Sequence, residues 1–194
     1  MNLPNQLTVA RLALTLVFVG VLSIDGLPHA GTIALAVFSI AAYTDLLDGQ
    51  IARARNLITN FGKLMDPLAD KVLMCAGFVM LCEEGFIPAW IVVLILAREF
   101  LVTGLRLVAS AEGIVLAAEN LGKYKTTFQI IAVIYFLIVI AAKDPWLAPL
   151  NPVLEWRGLG PHVLGQILTW IALILTLVSG LSYLWKNRKL FSDC

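Results

Sequence analysis

An all-α membrane bundle of six spanning helices is the fold class that this sequence predicts, and three observations predict it. The residues AVILMFWYC make up 60% of the 194 positions and charged residues only 14%, against roughly 45–50% and about 25% in soluble domains. Six apolar stretches approach the ~20 residues that a helix needs to cross ~30 Å of hydrocarbon. The Lys and Arg residues between those stretches fall mostly on one side. Mean hydropathy is +0.89, so there is too little polar surface to cover a globule in water. The same numbers exclude a disordered chain, a nucleic-acid module and a soluble disulfide scaffold.

The predicted spans cover residues 7–24, 30–52, 64–82, 86–110, 126–142 and 163–185. The remainder is loop, so 1–194 reads as a single membrane domain. The first span carries Arg11, has no small-residue cleavage site and is followed at once by a second span, so it reads as retained rather than as a signal peptide. Arg55, Lys63, Lys123, Lys125, Lys186, Arg188 and Lys189 lie on one side, and only Lys143 and Arg157 on the other. The positive-inside rule then makes both termini cytoplasmic. The long outer loop holds Pro145, Pro149, Pro152 and Pro161, with Trp146 and Trp156 as interfacial anchors. His29 and His162 read as loop residues. Cys75, Cys82 and Cys194 are scattered, with no C-x-x-C or His/Cys cluster, so neither a disulfide framework nor a zinc site is expected.

The second and sixth spans carry no ionisable group but Tyr43 and Tyr183 over residues 30–44 and 163–185. Against that background the acids stand out: four of the seven aspartates lie between Asp45 and Asp70. At about 100° per residue, Asp45, Asp48, Gly49 and Ala52 share one face of the second helix. Gly62, Asp66 and Asp70 share a face at the start of the third, where Pro67 suits a first turn. The segment between, with Asn56, Thr59 and Asn60, reads as a short cytoplasmic turn joining antiparallel neighbours. Four carboxylates in a partly dehydrated site repel one another and are costly to ionise. Two Mg²⁺ would neutralise them with the oxygen-liganded ion such groups select. Pairing with Arg53, Arg55, Lys63 and Lys71 would also balance the charge, but leaves unexplained why Gly49, Ala52 and Gly62 keep that face open.

The spacing D-x2-D-G-x2-A-R-x8-G-x3-D-x3-D, filled at every position from Asp45 to Asp70, resembles the signature of the CDP-alcohol phosphatidyltransferases. The six-helix layout is similar to that family over essentially the whole chain. The resemblance implies a site at the cytoplasmic edge of a bacterial-type cytoplasmic membrane, holding two divalent cations, Mg²⁺ or Mn²⁺. It implies Asp45, Asp48, Asp66 and Asp70 as metal ligands, with Asp70 also the general base. Gly49, Ala52, Arg53 and Gly62 would line the CDP group. It further implies a homodimer.

Outside that signature, Arg98 interrupts the fourth span beside Glu99, Arg106 follows two turns later, and Lys123 and Lys125 flank Tyr124. Intramembrane arginines are expensive and usually functional. Snorkelling or an Arg98–Glu99 pair would account for Arg98, and topology alone for the lysines; together the four cations would bind a second anion, the phosphate of an acceptor. Ala97-Arg98-Glu99-Phe100 with Gly104-Leu105-Arg106, Gly122-Lys123-Tyr124-Lys125-Thr126-Thr127 with Gln129, and Asn2-Leu3-Pro4-Asn5-Gln6-Leu7-Thr8 with Arg11 resemble the phosphatidylglycerophosphate synthase branch. That branch transfers a phosphatidyl group from CDP-diacylglycerol to sn-glycerol 3-phosphate and releases CMP. Asn5 and Arg11 would bind donor phosphate or anchor the first helix. The alternatives are the same chemistry on phosphatidylglycerol, inositol phosphate or serine, and, from another class, a divalent-cation transporter.

Overall fold

The computed structural model describes the backbone of residues 3–55, 60–111, 120–154 and 161–188, and the side chains of these except 3–5, 45–55, 60–64, 66, 67, 111, 120, 121, 153 and 161. Six long helices carry the fold: α1 (Leu3–Ser23), α2 (Ala30–Arg55), α3 (Asn60–Glu83), α4 (Ala89–Ala111), α5 (Asn120–Ala141) and α7 (Pro161–Lys186). A 3-10 turn (Ala148–Leu150) and the short α6 (Asn151–Leu154) interrupt the long loop before α7. No strand occurs among the described residues. The predicted helical fold class is the one observed.

The helix limits differ from the predicted ones where polarity and helicity part company. α3 closes on Gly85 at φ 76°, with Phe86 N–H donating to Leu81 O at 3.0 Å, a left-handed helix cap that needs glycine. Phe86 and Ile87 then run through the turn to Pro88 rather than opening α4. They are apolar because they are buried, at 9% and 2% exposure, not because they are helical. α5 starts earlier than expected: Gly122-Lys123-Tyr124-Lys125 forms helical turns, with Thr126 and Thr127 hydroxyls donating to the carbonyls of Gly122 and Lys123 at 3.1 Å. Hydropathy cannot see a polar helical turn. α3 likewise begins at Asn60, so Pro67 lies well inside it rather than in its first turn. Of the expected turn between α2 and α3, residues 56–59 lie outside the described residues. His162 belongs to α7, stacked 5.5 Å from the Phe86 ring, and is not a loop residue. Trp156 lies outside the described residues, while Trp146, largely exposed, rests 4.7 Å from the ring of His29.

Neighbouring helices close into a ring in the order α1, α2, α5, α7, α4, α3, with α3 also touching α2 and α5. Phe18, Phe38, Phe78, Phe136, Leu81 and Ile95 fill the middle. The backbones of α2 and α5 meet at Gly31, where a Cβ would come within 2.8 Å of the Ala141 backbone. Thr15, Thr169 and Thr176 sit in the interior by donating their hydroxyls to carbonyls one turn earlier. Leu16, Val17, Val93, Ile174 and Leu181 instead point outward, half or more exposed. An apolar outer surface over a packed interior suits a lipid solvent. Among the described residues three helices are long and apolar enough to cross a membrane, within Gln6–Ser23, Gly122–Ala141 and His162–Lys186, and α2 contributes a shorter apolar stretch, Ala30–Thr44. The chain is an integral membrane protein.

Candidate active site

The acid signature lies on two touching helices. α2 runs unbroken through Arg55 and α3 starts at Asn60, so helical period keeps Asp45, Asp48, Gly49 and Ala52 on one stripe and Gly62, Asp66 and Asp70 on another. The two helices contact each other, and both pack more extensively on α1. Beyond their place on these helices, Asp45, Asp48, Gly49, Ala52, Arg53, Gly62 and Asp66 lie outside the described residues, as does the side chain of Asn5. Among the described residues no three His, Cys, Asp or Glu side chains gather. Asp70 is described, partly buried on α3.

Asp70 opens onto a cavity of about 470 Å³ between α3, α4 and α5. All four cations picked out from the sequence as phosphate ligands line it: Arg98 and Arg106 from α4, Lys123 and Lys125 from α5. The sequence separates these residues from Asp70 by as much as 55 positions, and helix packing brings them to one wall. A narrow crevice runs on from the cavity past Met74, Cys75, Phe78 and Ile95 to Gln129. At about 20 Å³ it has room for about one water molecule.

Two further residues complete the polar wall, and sequence reasoning gave neither a site role. Lys71, next to Asp70, and Glu99, next to Arg98, both line the cavity. Glu99 is its hub. One carboxylate oxygen accepts from Arg98 Nη1 at 3.4 Å and from Lys125 Nζ, and the other lies 4.0 Å from Lys71 Nζ. One acid thus gathers a cation from each of three helices. The Arg98–Glu99 pair weighed from the sequence exists, yet it is part of the cavity wall rather than an alternative to it. Among the described residues five cations and two acids line it, a surplus of three cations by formal charge; Arg106 and Lys123 are exposed, and the other five groups are partly or fully buried. Such a surplus is unfavourable until an anion enters.

Behind the wall stands α7. Its last turns, expected to be featureless, hold both arginines: Arg98 Nη2 donates to Ser179 Oγ at 2.8 Å, and Arg106 Nε donates to Tyr183 Oη at 3.3 Å. The Arg106 guanidinium also lies 5.3 Å from the centre of the Tyr183 ring. A hydroxyl at 179 and a phenol one turn on, in a helix with no Asp, Glu, Lys or Arg before Lys186, was the available signal. Lys123 is exposed at the rim. Arg11 is elsewhere: it is fully buried on α1 between Thr8 and Thr15 and does not line the cavity.

Known proteins are similar to this chain along nearly its whole length. The chain is 41% identical to the CDP-diacylglycerol–glycerol-3-phosphate 3-phosphatidyltransferase of Bacillus subtilis, over 96% of this chain and 95% of the relative. It is 37% identical to the protein of that name from Rickettsia bellii, over 98% and 97%. It is 36% identical to a probable phosphatidylglycerophosphate synthase of Mycobacterium tuberculosis, over 97% of this chain and 82% of the relative. The model of the CDP-alcohol phosphatidyltransferase family matches residues 1–178, and with the acid signature on α2 and α3 beside a cation-lined cavity, the chain belongs to that family of transferases.

Proposed function

We propose that this protein transfers the phosphatidyl group of CDP-diacylglycerol to sn-glycerol 3-phosphate, forming phosphatidylglycerophosphate and CMP. The observation that carries the proposal is the cavity that joins Asp70 to Arg98, Arg106, Lys123 and Lys125. An acceptor that is itself a phosphate ester needs a cationic seat within reach of the base, and a neutral alcohol does not. The names of the relatives support the same substrates.

In this reaction the acceptor hydroxyl oxygen forms a bond to the phosphatidyl phosphorus, the bond from that phosphorus to the CMP oxygen breaks, and the hydroxyl proton passes to Asp70. Asp70 faces the cavity, which suits the hydrogen-bond reach a general base requires. The cations of α4 and α5 hold the acceptor's phosphate and so orient its hydroxyl. Gly49 and Ala52, with Gly62, leave room for the CDP group, and Arg53, next to Ala52 in the chain, binds its charge. The donor set offered by Asp45, Asp48, Asp66 and Asp70 is carboxylate oxygen throughout, on two helices in contact, which fits two Mg²⁺ or Mn²⁺ ions. Bound there, the ions would neutralise the diphosphate and the leaving CMP.

The fold supports a single membrane domain with six spans, both termini and the cavity on the cytoplasmic side, since Lys123, Lys125, Lys186 and Arg188 gather at that end. The family resemblance supports a homodimer. A cation-transport role would place acids along a path through the bilayer. α3 has none between Asp70 and Glu83, and α5 has none at all, so the transferase reading is preferred. The test is turnover by the purified protein with CDP-diacylglycerol and labelled acceptors. Product from glycerol 3-phosphate is expected; product only from serine, an inositol phosphate or phosphatidylglycerol would overturn the choice of acceptor.

A further inference from the structure

The cavity's two arginines do not hold their own places. Among the described residues none from α7 lines the cavity, yet both guanidinium groups are tied to that helix from behind, through Ser179 and Tyr183. Between these two contacts sits Gly180. A Cβ there would come within 2.8 Å of Arg98 Cγ and 3.2 Å of its Nε. Cγ is the stem of the side chain, not its mobile end, so a methyl group at 180 would move the whole arginine. The two contacts also have different chemistry. Ser179, 1% exposed, returns its own proton to the carbonyl of Thr176 at 3.1 Å, which leaves its lone pairs for Arg98. Tyr183, 2% exposed, presents both its oxygen and its ring face to Arg106. Arginine has several rotatable bonds and loses considerable entropy when it is held in one place. A seat that binds a phosphate with guanidinium forks therefore gains from orientation set in advance.

We propose that Ser179, Gly180 and Tyr183 are positioning residues that aim Arg98 and Arg106 at the acceptor's phosphate, so that α7 sets acceptor affinity without touching the acceptor. The proposal rests on the reading of the cavity as the acceptor's phosphate seat. α7 thereby acts on one substrate only. The donor's signature lies on α2 and α3, and α7 packs on α4 and α5.

The experiment is steady-state kinetics of the full-length protein in lipid–detergent micelles, with glycerol 3-phosphate and CDP-diacylglycerol varied in turn. Ser179→Ala is expected to raise the acceptor KM about tenfold, and Tyr183→Phe, which keeps the ring, about threefold. The donor KM and kcat should change by less than about twofold. Gly180→Ala should also raise the acceptor KM in the parent protein. In an Arg98→Ala background it should have no further effect, because the side chain it displaces is gone. Likewise, Tyr183→Phe should add nothing to Arg106→Ala. Changes that multiply in these double variants, or that fall equally on donor KM and kcat, would overturn the positioning role and make these residues merely structural. If Arg98→Ala and Arg106→Ala themselves leave the acceptor KM unchanged, the fault lies instead with the reading of the cavity.

Discussion

The two ends of the bundle spend their polar residues in opposite ways. At one end, Asp70, Lys71, Arg98, Glu99, Arg106, Lys123 and Lys125 converge from three helices on a single cavity, with more cations than acids among the described residues. At the other, polar groups close the architecture. Asp144 accepts from the backbone N–H and the hydroxyl of Thr32, both at 2.7 Å, and so caps the start of α2. Asn151 donates to the Ala142 carbonyl at 3.2 Å, and Lys143 rests 5.7 Å from the centre of the Phe86 ring. There each contact satisfies a helix end or covers a ring. The contrast separates two uses of charge in an apolar protein. A polar group matched to backbone is architecture; a surplus of one sign, held partly dry, waits for a ligand.

The contrast can be broken most directly at Asp70. Asp70→Asn is expected to lower kcat by about 10²–10⁴, the usual contribution of a general base, with equilibrium binding of CDP-diacylglycerol changed far less. Near-normal turnover would remove Asp70 from the chemistry. Arg98→Ala and Lys125→Ala come next: each should raise the acceptor KM by about tenfold or more, as loss of a charge-assisted contact does. An effect confined to the donor KM would move these cations to the CDP-lipid side of the site.

Glu99 sharpens the comparison, because it is the acid that keeps Lys71, Arg98 and Lys125 together. Glu99→Gln should cost about 2–3 kcal/mol of stability by leaving largely buried cations uncompensated. Inorganic phosphate should then raise Tm more in the variant than in the parent, since it supplies the missing charge. Equal phosphate effects in both would mean that the cations do not share one anion seat. The smallest effect belongs to the far end: Asp144→Asn weakens the α2 cap by about 1 kcal/mol and should leave both KM values alone. An altered acceptor KM there would dissolve the division between the two ends.

Much of this was legible along the chain, and the misses have physical causes. All six long helices were expected, because spanning segments must satisfy their backbone internally and advertise it by unbroken apolarity. Their ends were misplaced where that signal is blind: Phe86 and Ile87 are apolar without being helical, and Gly122–Lys125 is helical without being apolar. The four cations proposed for the acceptor do share a cavity. Glu99 was given too small a part, because a carboxylate beside an arginine reads as a local pair. Its partners on α3 and α5 lie 28 and 26 residues away.

By itself the sequence determined the helices and the acid signature, since hydropathy, helical period and residue spacing are properties of neighbouring positions. Only the tertiary structure decided what each charge faces. Arg11 and Arg98 are both arginines inside apolar helices, yet one is wholly buried on α1 and the other lines the cavity, backed by Ser179. The outcome depends on how each helix is rotated and crossed against the others. Those angles follow from many weak contacts summed over the whole bundle, and no stretch of chain records that sum locally.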